Sequence, residues 1–185
     1  MEIHKFEEQL NDLFDYFILA DPYTLLDYKN KHNLPNNLID NFTTTDFGER
    51  AIKEGKMITL SQIENYPYTI YFNFSGNSEF SKHKNDLQIR QDGYFLEVKS
   101  EQICLFTVPY LKNYSPENIN ILLKNRKAQI KIANGIYSVS ILGGQTEQTT
   151  GKEPTFEFMI LPMKNKAIFA AENINYSFKI KSEEY

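Results

Sequence analysis

Apolar and polar residues alternate along much of this chain. From Tyr66 to Phe74, YPYTIYFNF sets Tyr68, Ile70, Phe72 and Phe74 at every second position, with Thr69, Tyr71 and Asn73 between them. A period of two sends successive side chains to opposite faces of a strand. The same alternation occurs twice in KAQIKIANGIYSVSIL, Lys127 to Leu142, first at Ile130 and Ile132 and then at Tyr137, Val139 and Ile141. Asn134-Gly135 between the two runs has the chemistry of a hairpin turn, since glycine accepts positive φ freely and asparagine tolerates it. The chain is therefore read as organised around a hairpin here, released by Gly143-Gly144 into a polar loop that ends at Pro154. Leu87–Arg90 and Tyr94–Val98 predict a second hairpin across Gln91-Asp92-Gly93. Further strands are expected at Met57–Leu60, Gln102–Val108, Ile119–Leu123, Phe156–Ile160 and Tyr176–Ile180, and a mobile polar loop at Ser75–Asn85.

The N-terminal stretch has another period. Phe6, Leu10, Leu13, Phe14, Phe17 and Ile18 fall at three- and four-residue steps, which predicts an amphipathic helix over Ile3–Ala20. Asp21-Pro22 would end it, because proline removes a donor and biases its predecessor away from helical geometry. A shorter helical turn is expected at Tyr23–Lys31, then a connecting loop at Asn33–Asn41. Thr43 to Asp46 caps another short helix, with Glu49 placed for a capping box and Gly55 as its stop. The expected fold is α+β and mainly β, an antiparallel β-sandwich with N-terminal helices. Residues 1–45 form a helical segment packing on the body and 46–185 the sandwich, together one structural unit.

Composition supports a β-rich core. The 185 residues include 14 Phe and 12 Tyr and no Trp, a bias toward strands. Net charge is −4, the wrong sign for an obvious nucleic-acid binder. Up to Asp27 the acids are Glu2, Glu7, Glu8, Asp12, Asp15, Asp21 and Asp27 against one base, Lys5, so an acidic segment precedes a nearly neutral body. One cysteine, Cys104 in ICLFTV, rules out an internal disulfide framework and reads as a buried structural thiol. The N-terminus has no basic region followed by an apolar core, and no apolar run reaches membrane-spanning length. A reducing cytoplasm is the expected compartment.

Catalytic chemistry finds little support in the sequence. His4, His32 and His83 are far apart and read as surface residues without a partner at metal-ligand spacing. Phosphate-binding glycine loops and nucleophile elbows do not occur. Glu7-Glu8 and Glu183-Glu184 are adjacent, so their side chains diverge, and Glu153 with Glu157 is a weak candidate for a carboxylate pair. The chain is expected to be no enzyme, with no catalytic residue, no metal site and no cofactor.

The order of landmarks after residue 46 carries more. A helix containing ERAIKEG precedes YPYTIYFNF; LQIR and GYFLEV follow, then ICLFTVPY and AQIKIANGIYSVSIL. Over about Asp46 to Pro162 this order resembles the competence-J family, small β-sandwich inhibitors that bind and block a DNA-degrading nuclease. The resemblance implies an inhibitory binding protein, an immunity protein or antitoxin that neutralises a bacterial toxin by covering its active site. The implied partner is a protein, a basic nuclease in particular, with neither nucleic acid nor membrane bound directly and the oligomeric state left open. Nucleases present basic clefts to phosphates, and acids would steer encounter with them. The candidate contacts are Glu7, Glu8, Asp12 and Asp15, with Glu147 and Glu153 as a second set and Tyr16 or Tyr23 as an aromatic anchor. The main rival is a carbohydrate- or small-ligand-binding sandwich. A subunit of a larger complex and a metal-free enzyme are the others.

Overall fold

The computed structural model describes residues 2–9, 15–164 and 168–182. The elements run β1 (Ile3–Gln9), β2 (Tyr16–Ala20), α1 (Pro22–Lys31), α2 (Leu38–Thr44), α3 (Phe47–Lys53), β3 (Ile58–Ser61), β4 (Pro67–Asn73), β5 (Asp86–Val98), β6 (Gln102–Thr107), α4 (Pro116–Asn125), β7 (Gln129–Lys131), β8 (Gly135–Gln148) and β9 (Gly151–Pro162). The strands form a five-stranded sheet in the order β1-β4-β9-β8-β5 and a four-stranded sheet in the order β3-β2-β6-β7. Every pairing is antiparallel except β4 with β9, where Thr69 faces Thr155 and Phe72 faces Phe158. The class is α+β with mostly antiparallel sheets.

Aromatic rings join the two sheets. Phe17 of β2 meets Tyr68 of β4 edge-on at 5.7 Å between centroids and Phe156 of β9 at 6.4 Å. Both partners are buried, as are Ile70, Phe72 and Phe158 beside them. The strand expected at Tyr66–Phe74 is present as β4, and it is buried on both faces. Thr69, Tyr71 and Asn73 lie away from the aromatic core yet are also covered. Residues 75–85 are tied down over that face rather than loose. Asn73 Oδ1 accepts from Ser75 N at 2.8 Å, and the buried Glu157 accepts from Asn73 Nδ2, Ser78 Oγ and Glu79 N.

Several local expectations are corrected. The helix expected over Ile3–Ala20 is replaced by two strands, β1 and β2, with residues 10–14 outside the described set. Thus residues 1–45 contribute a strand to each sheet as well as α1 and α2. Asp21-Pro22 starts a helix instead of ending one: Pro22 is the first residue of α1, and Asp21 Oδ1 accepts from Tyr23 N and Thr24 N. α2 occupies part of the expected 33–41 loop. At α3 the Asp46 side chain makes no capping bond, and Thr45 Oγ1 accepts from Phe47 N instead.

The organising hairpin is also absent. β7 pairs with β6, Ile130 against Ile103, whereas β8 pairs with β5 and β9. Asn134-Gly135 is the crossing from one sheet to the other, and Asn134 Oδ1 accepts from Glu101 N at 2.9 Å. The second expected hairpin is one strand, β5, whose register against β8 shifts between Gln91 and Tyr94. Gly93 sits in that bulge at φ +89°, a conformation that favours glycine. Gly143 and Gly144 lie within β8, and the expected 143–154 loop is the end of a long β8–β9 hairpin. Ile119–Leu123 belongs to α4, capped by Ser115 and begun by Pro116. Tyr176–Ile180 contributes a single bridge, Ser61 with Ser177, while Phe178 and Ile180 are buried.

Candidate functional site

The surface around Tyr16 combines an exposed ring with two hollows. Phe17 and Leu19 of β2 lie between the sheets, so Tyr16 and Ile18 lie on the opposite face. Asp15 enters the strand at φ 51°, and its carbonyl accepts from Ile63 N at 3.0 Å, which fixes the start of β2. Tyr16 pairs in register with Ser61 of β3 and is 38% exposed.

On one side of Tyr16 is a hollow of about 460 Å³ between the outer face of the four-stranded sheet and α2–α3. Ile18, Ile39, Phe42, Ile52, Met57 and Leu111 give it apolar walls, with Glu49 among the polar groups. Gly48 lets α3 approach α2 closely, since a β-carbon there would come within 2.9 Å of Phe42 Cβ. On the other side Asp15, Gln62, Glu64, Asn65, Tyr66 and Lys179 surround a polar hollow of about 600 Å³. Lys179 Nζ lies 2.7 Å from Glu64 Oε1. That hydrogen bond holds the Glu64 carboxyl below the ordinary carboxylate range, and bonding to Glu64 pushes the Tyr66 phenol up. Tyr16 is therefore a ridge between an apolar and a charged concavity.

The other acids singled out in the sequence are dispersed. Glu7 and Glu8 lie on opposite faces of β1, as adjacent strand residues must. Glu7 is exposed on the outer face of the five-stranded sheet, opposite Thr69. Thr69 Oγ1 donates to Glu153 Oε2 at 2.8 Å, so Glu7 and Glu153 flank one threonine. Glu147 is exposed on β8, opposite Lys152, and its N donates to Asn85 Oδ1 at 2.8 Å. Tyr23 donates its hydroxyl to Asn120 Oδ1 at 3.0 Å. Asp12 lies outside the described residues.

Glu8 is buried rather than presented to a partner. Its Oε1 is 3.8 Å from Arg126 Nη1, and Arg126 stacks over Tyr110 at 5.2 Å. Burial pushes the Glu8 carboxyl up, against the opposing pull of Arg126. Among the described residues of the original set, only Asp15 and Tyr16 share the two-hollow surface. Glu64 was not singled out by sequence reasoning, and Glu49 was singled out only as a capping-box acid. Neither sits in a motif that points to binding, and only the close return of β3 beside β2 brings them near Tyr16.

Two buried carboxylates are fully engaged in the framework. Asp21 accepts from Tyr23 N, Thr24 N, Thr24 Oγ1, Lys99 N, Ser100 N and Ser100 Oγ, fastening α1 to the turn between β5 and β6. Glu157 pins the 75–85 segment. Glu153 and Glu157 do not act as a pair, since each is bonded to separate donors. Cys104 is buried, and burial pushes its thiol up to about 12, so it is un-ionised at neutral pH. His4 lies on β1 against Phe74, and His32 is half-buried against Tyr28 and Phe47 instead of free at the surface. Among the described residues no group of three or more His, Cys, Asp or Glu is arranged to hold a metal ion, and no helix is long and apolar enough to cross a membrane.

No family model matches the chain, and no curated protein matches it. Solved structures do. One is ComJ from Bacillus subtilis, described as an inhibitor of the DNA degrading activity of NucA. It is 13% identical over 88% of this chain and 100% of that one, with a TM-score of 0.45. Another is described as Crocagin biosynthetic gene J, 11% identical over 89% of this chain and 100% of that one, with a TM-score of 0.49. The competence-J resemblance read from the sequence landmarks thus recurs among solved structures, at a distance.

Proposed function

We propose that this protein is an inhibitory binding protein that covers the working surface of a protein partner, as an immunity protein or antitoxin covers a toxin. The observation that carries the reading is the Tyr16 ridge between an apolar hollow and a hollow holding Asp15 and Glu64. Interfaces are anchored by aromatic side chains seated among apolar neighbours, with charge at the rim supplying steering and register. The competence-J resemblance implies a DNA-degrading nuclease as the class of target, whose basic cleft the acids would complement. In this reading the two sheets are the layers of a sandwich that presents the Tyr16 surface, and no bond is made or broken.

The test uses the intact protein and its Tyr16→Ala variant as parallel baits in the producing cell's extract, followed by activity assays on the retained protein. The expected result is a retained enzyme that loses activity on binding, with about a tenfold or greater loss of affinity for the variant. A retained protein that stays fully active, or equal retention by both baits, would reject the reading. The second reading is a small-ligand site, favoured by the apolar hollow, whose volume falls within the usual range for such sites. A thermal-shift screen with apolar compounds that stabilises the protein, without any effect of Tyr16→Ala on protein capture, would put that reading first.

A further inference from the structure

Among the described residues no strand pairs with the outer edge of β1 in the five-stranded sheet; that edge is self-complementary, and we infer that a second copy of this chain adds to it through β1. The other long edge, β5, is partly occupied by the C-terminal stretch: Ala170 N donates to Gly93 O at 3.0 Å, and Lys181 N to Gln88 Oε1 at 2.8 Å. That stretch also covers β3, where Phe178 N donates to Ser61 O at 2.9 Å. β7 has three residues, whereas β1 has seven and stands at the end of its sheet. A long uncovered edge is a template for another strand.

The hydrogen-bond phase of β1 determines which groups are on offer. Phe74 N donates to Glu2 O, so Glu2 and the alternate residues His4, Phe6 and Glu8 turn their backbone toward β4. The N–H and C=O groups of Ile3, Lys5, Glu7 and Gln9 then point outward from the sheet. Two-fold antiparallel pairing through these groups has three central registers, and charge separates them. Centring on Lys5 sets lysine against lysine, and centring on Glu7 sets glutamate against glutamate. Centring on Phe6 sets Lys5 opposite Glu7 of the second copy, twice, on the exposed outer face. In that register the two Phe6 rings, each half-buried against its own Phe72 at 5.5 Å, fall at a non-hydrogen-bonded pair, where facing side chains come closest. A hollow of about 300 Å³ between Phe6, Glu7 and Lys127 borders the same edge. The product is a continuous ten-stranded sheet across the two-fold axis.

Sedimentation equilibrium on the intact chain over a concentration series tests this. The wild type is expected to dimerise. Lys5→Glu alone and Glu7→Lys alone, each shown by circular dichroism to keep its fold, are expected to weaken self-association by about tenfold or more, because each sets like charges opposite one another. Mixed together, the two variants restore attraction at both positions and are expected to form a heterodimer at near wild-type affinity. A wild type that stays monomeric overturns the inference. So does a dimer that both variants leave intact, or a mixture that associates no better than its components. This inference is independent of the Tyr16 surface: a monomeric wild type would leave the inhibitor reading untouched.

Discussion

A single carboxylate decides how the helical face is attached to the sheets. Asp21 is buried, and its two oxygens receive four backbone N–H groups and two hydroxyls from α1 and from residues 99–100. A buried donor left without its acceptor costs about 1–3 kcal/mol, so Asp21→Ala is expected to cost ~3 kcal/mol or more in urea denaturation, with the unfolding slope little changed. A loss below about 1 kcal/mol would show that water replaces the carboxylate without penalty. The residue was legible in the sequence, but its role was inverted. Asp-Pro ends one helix and begins the next with equal ease, since aspartate caps free amides and proline fits the first turn. Only the pairing of β2 with β3 and β6, far away in sequence, shows that no helix precedes it.

At the scale of elements, local patterns identified strands more reliably than they identified partners. β4, β6 and the Phe156–Ile160 core of β9 were legible from their aromatic and β-branched residues. β2 was not, because a strand buried on both faces shows no alternation, and its Phe-Ile-Leu-Ala run continued the three- and four-residue spacing of the preceding segment. The Asn134-Gly135 and Asp92-Gly93 pairs have turn chemistry, yet one is a crossing between sheets and the other a bulge; Gly93 uses the positive φ that glycine accepts, whereas Gly135 has neither a positive φ nor a close neighbour. The signal at α4 was local and was passed over, since Ser115-Pro116-Glu117 is a helix start. Gly144 shows what pairing demands. A β-carbon there would sit 2.0 Å from Asp86 O on the neighbouring β5. Gly144→Ala must therefore push β8 from β5, and it is expected to destabilise the fold by about 1–3 kcal/mol. An unchanged melting temperature would mean that this end of the sheet opens without cost.

Across the whole molecule, the described acids expected on an N-terminal helix and a later loop are distributed by the strands over separate surfaces, and this changes what charge can do. Glu8 is withdrawn into a pair with Arg126, Glu7 and Glu153 lie on the outer face of one sheet, and Asp15 borders the Tyr16 ridge on the other. Such dispersal does not form a single clamp for a cationic group, but at distances comparable with the screening length it acts as a diffuse negative field. Of the candidate site, a charge bias and a tyrosine were therefore legible, while its shape came from long-range pairing that no local pattern encodes. If the bias serves encounter with a basic partner, salt acts on the approach and leaves the seated contacts at Tyr16 nearly alone. Stopped-flow association with the captured partner is then expected to slow by about tenfold from low to physiological ionic strength, with the dissociation rate nearly constant. Tyr16→Ala should do the reverse, raising dissociation and sparing association. If salt leaves the association rate unchanged, or if the Tyr16 substitution slows arrival instead of hastening departure, then charge does not steer this protein and the ridge does not anchor it.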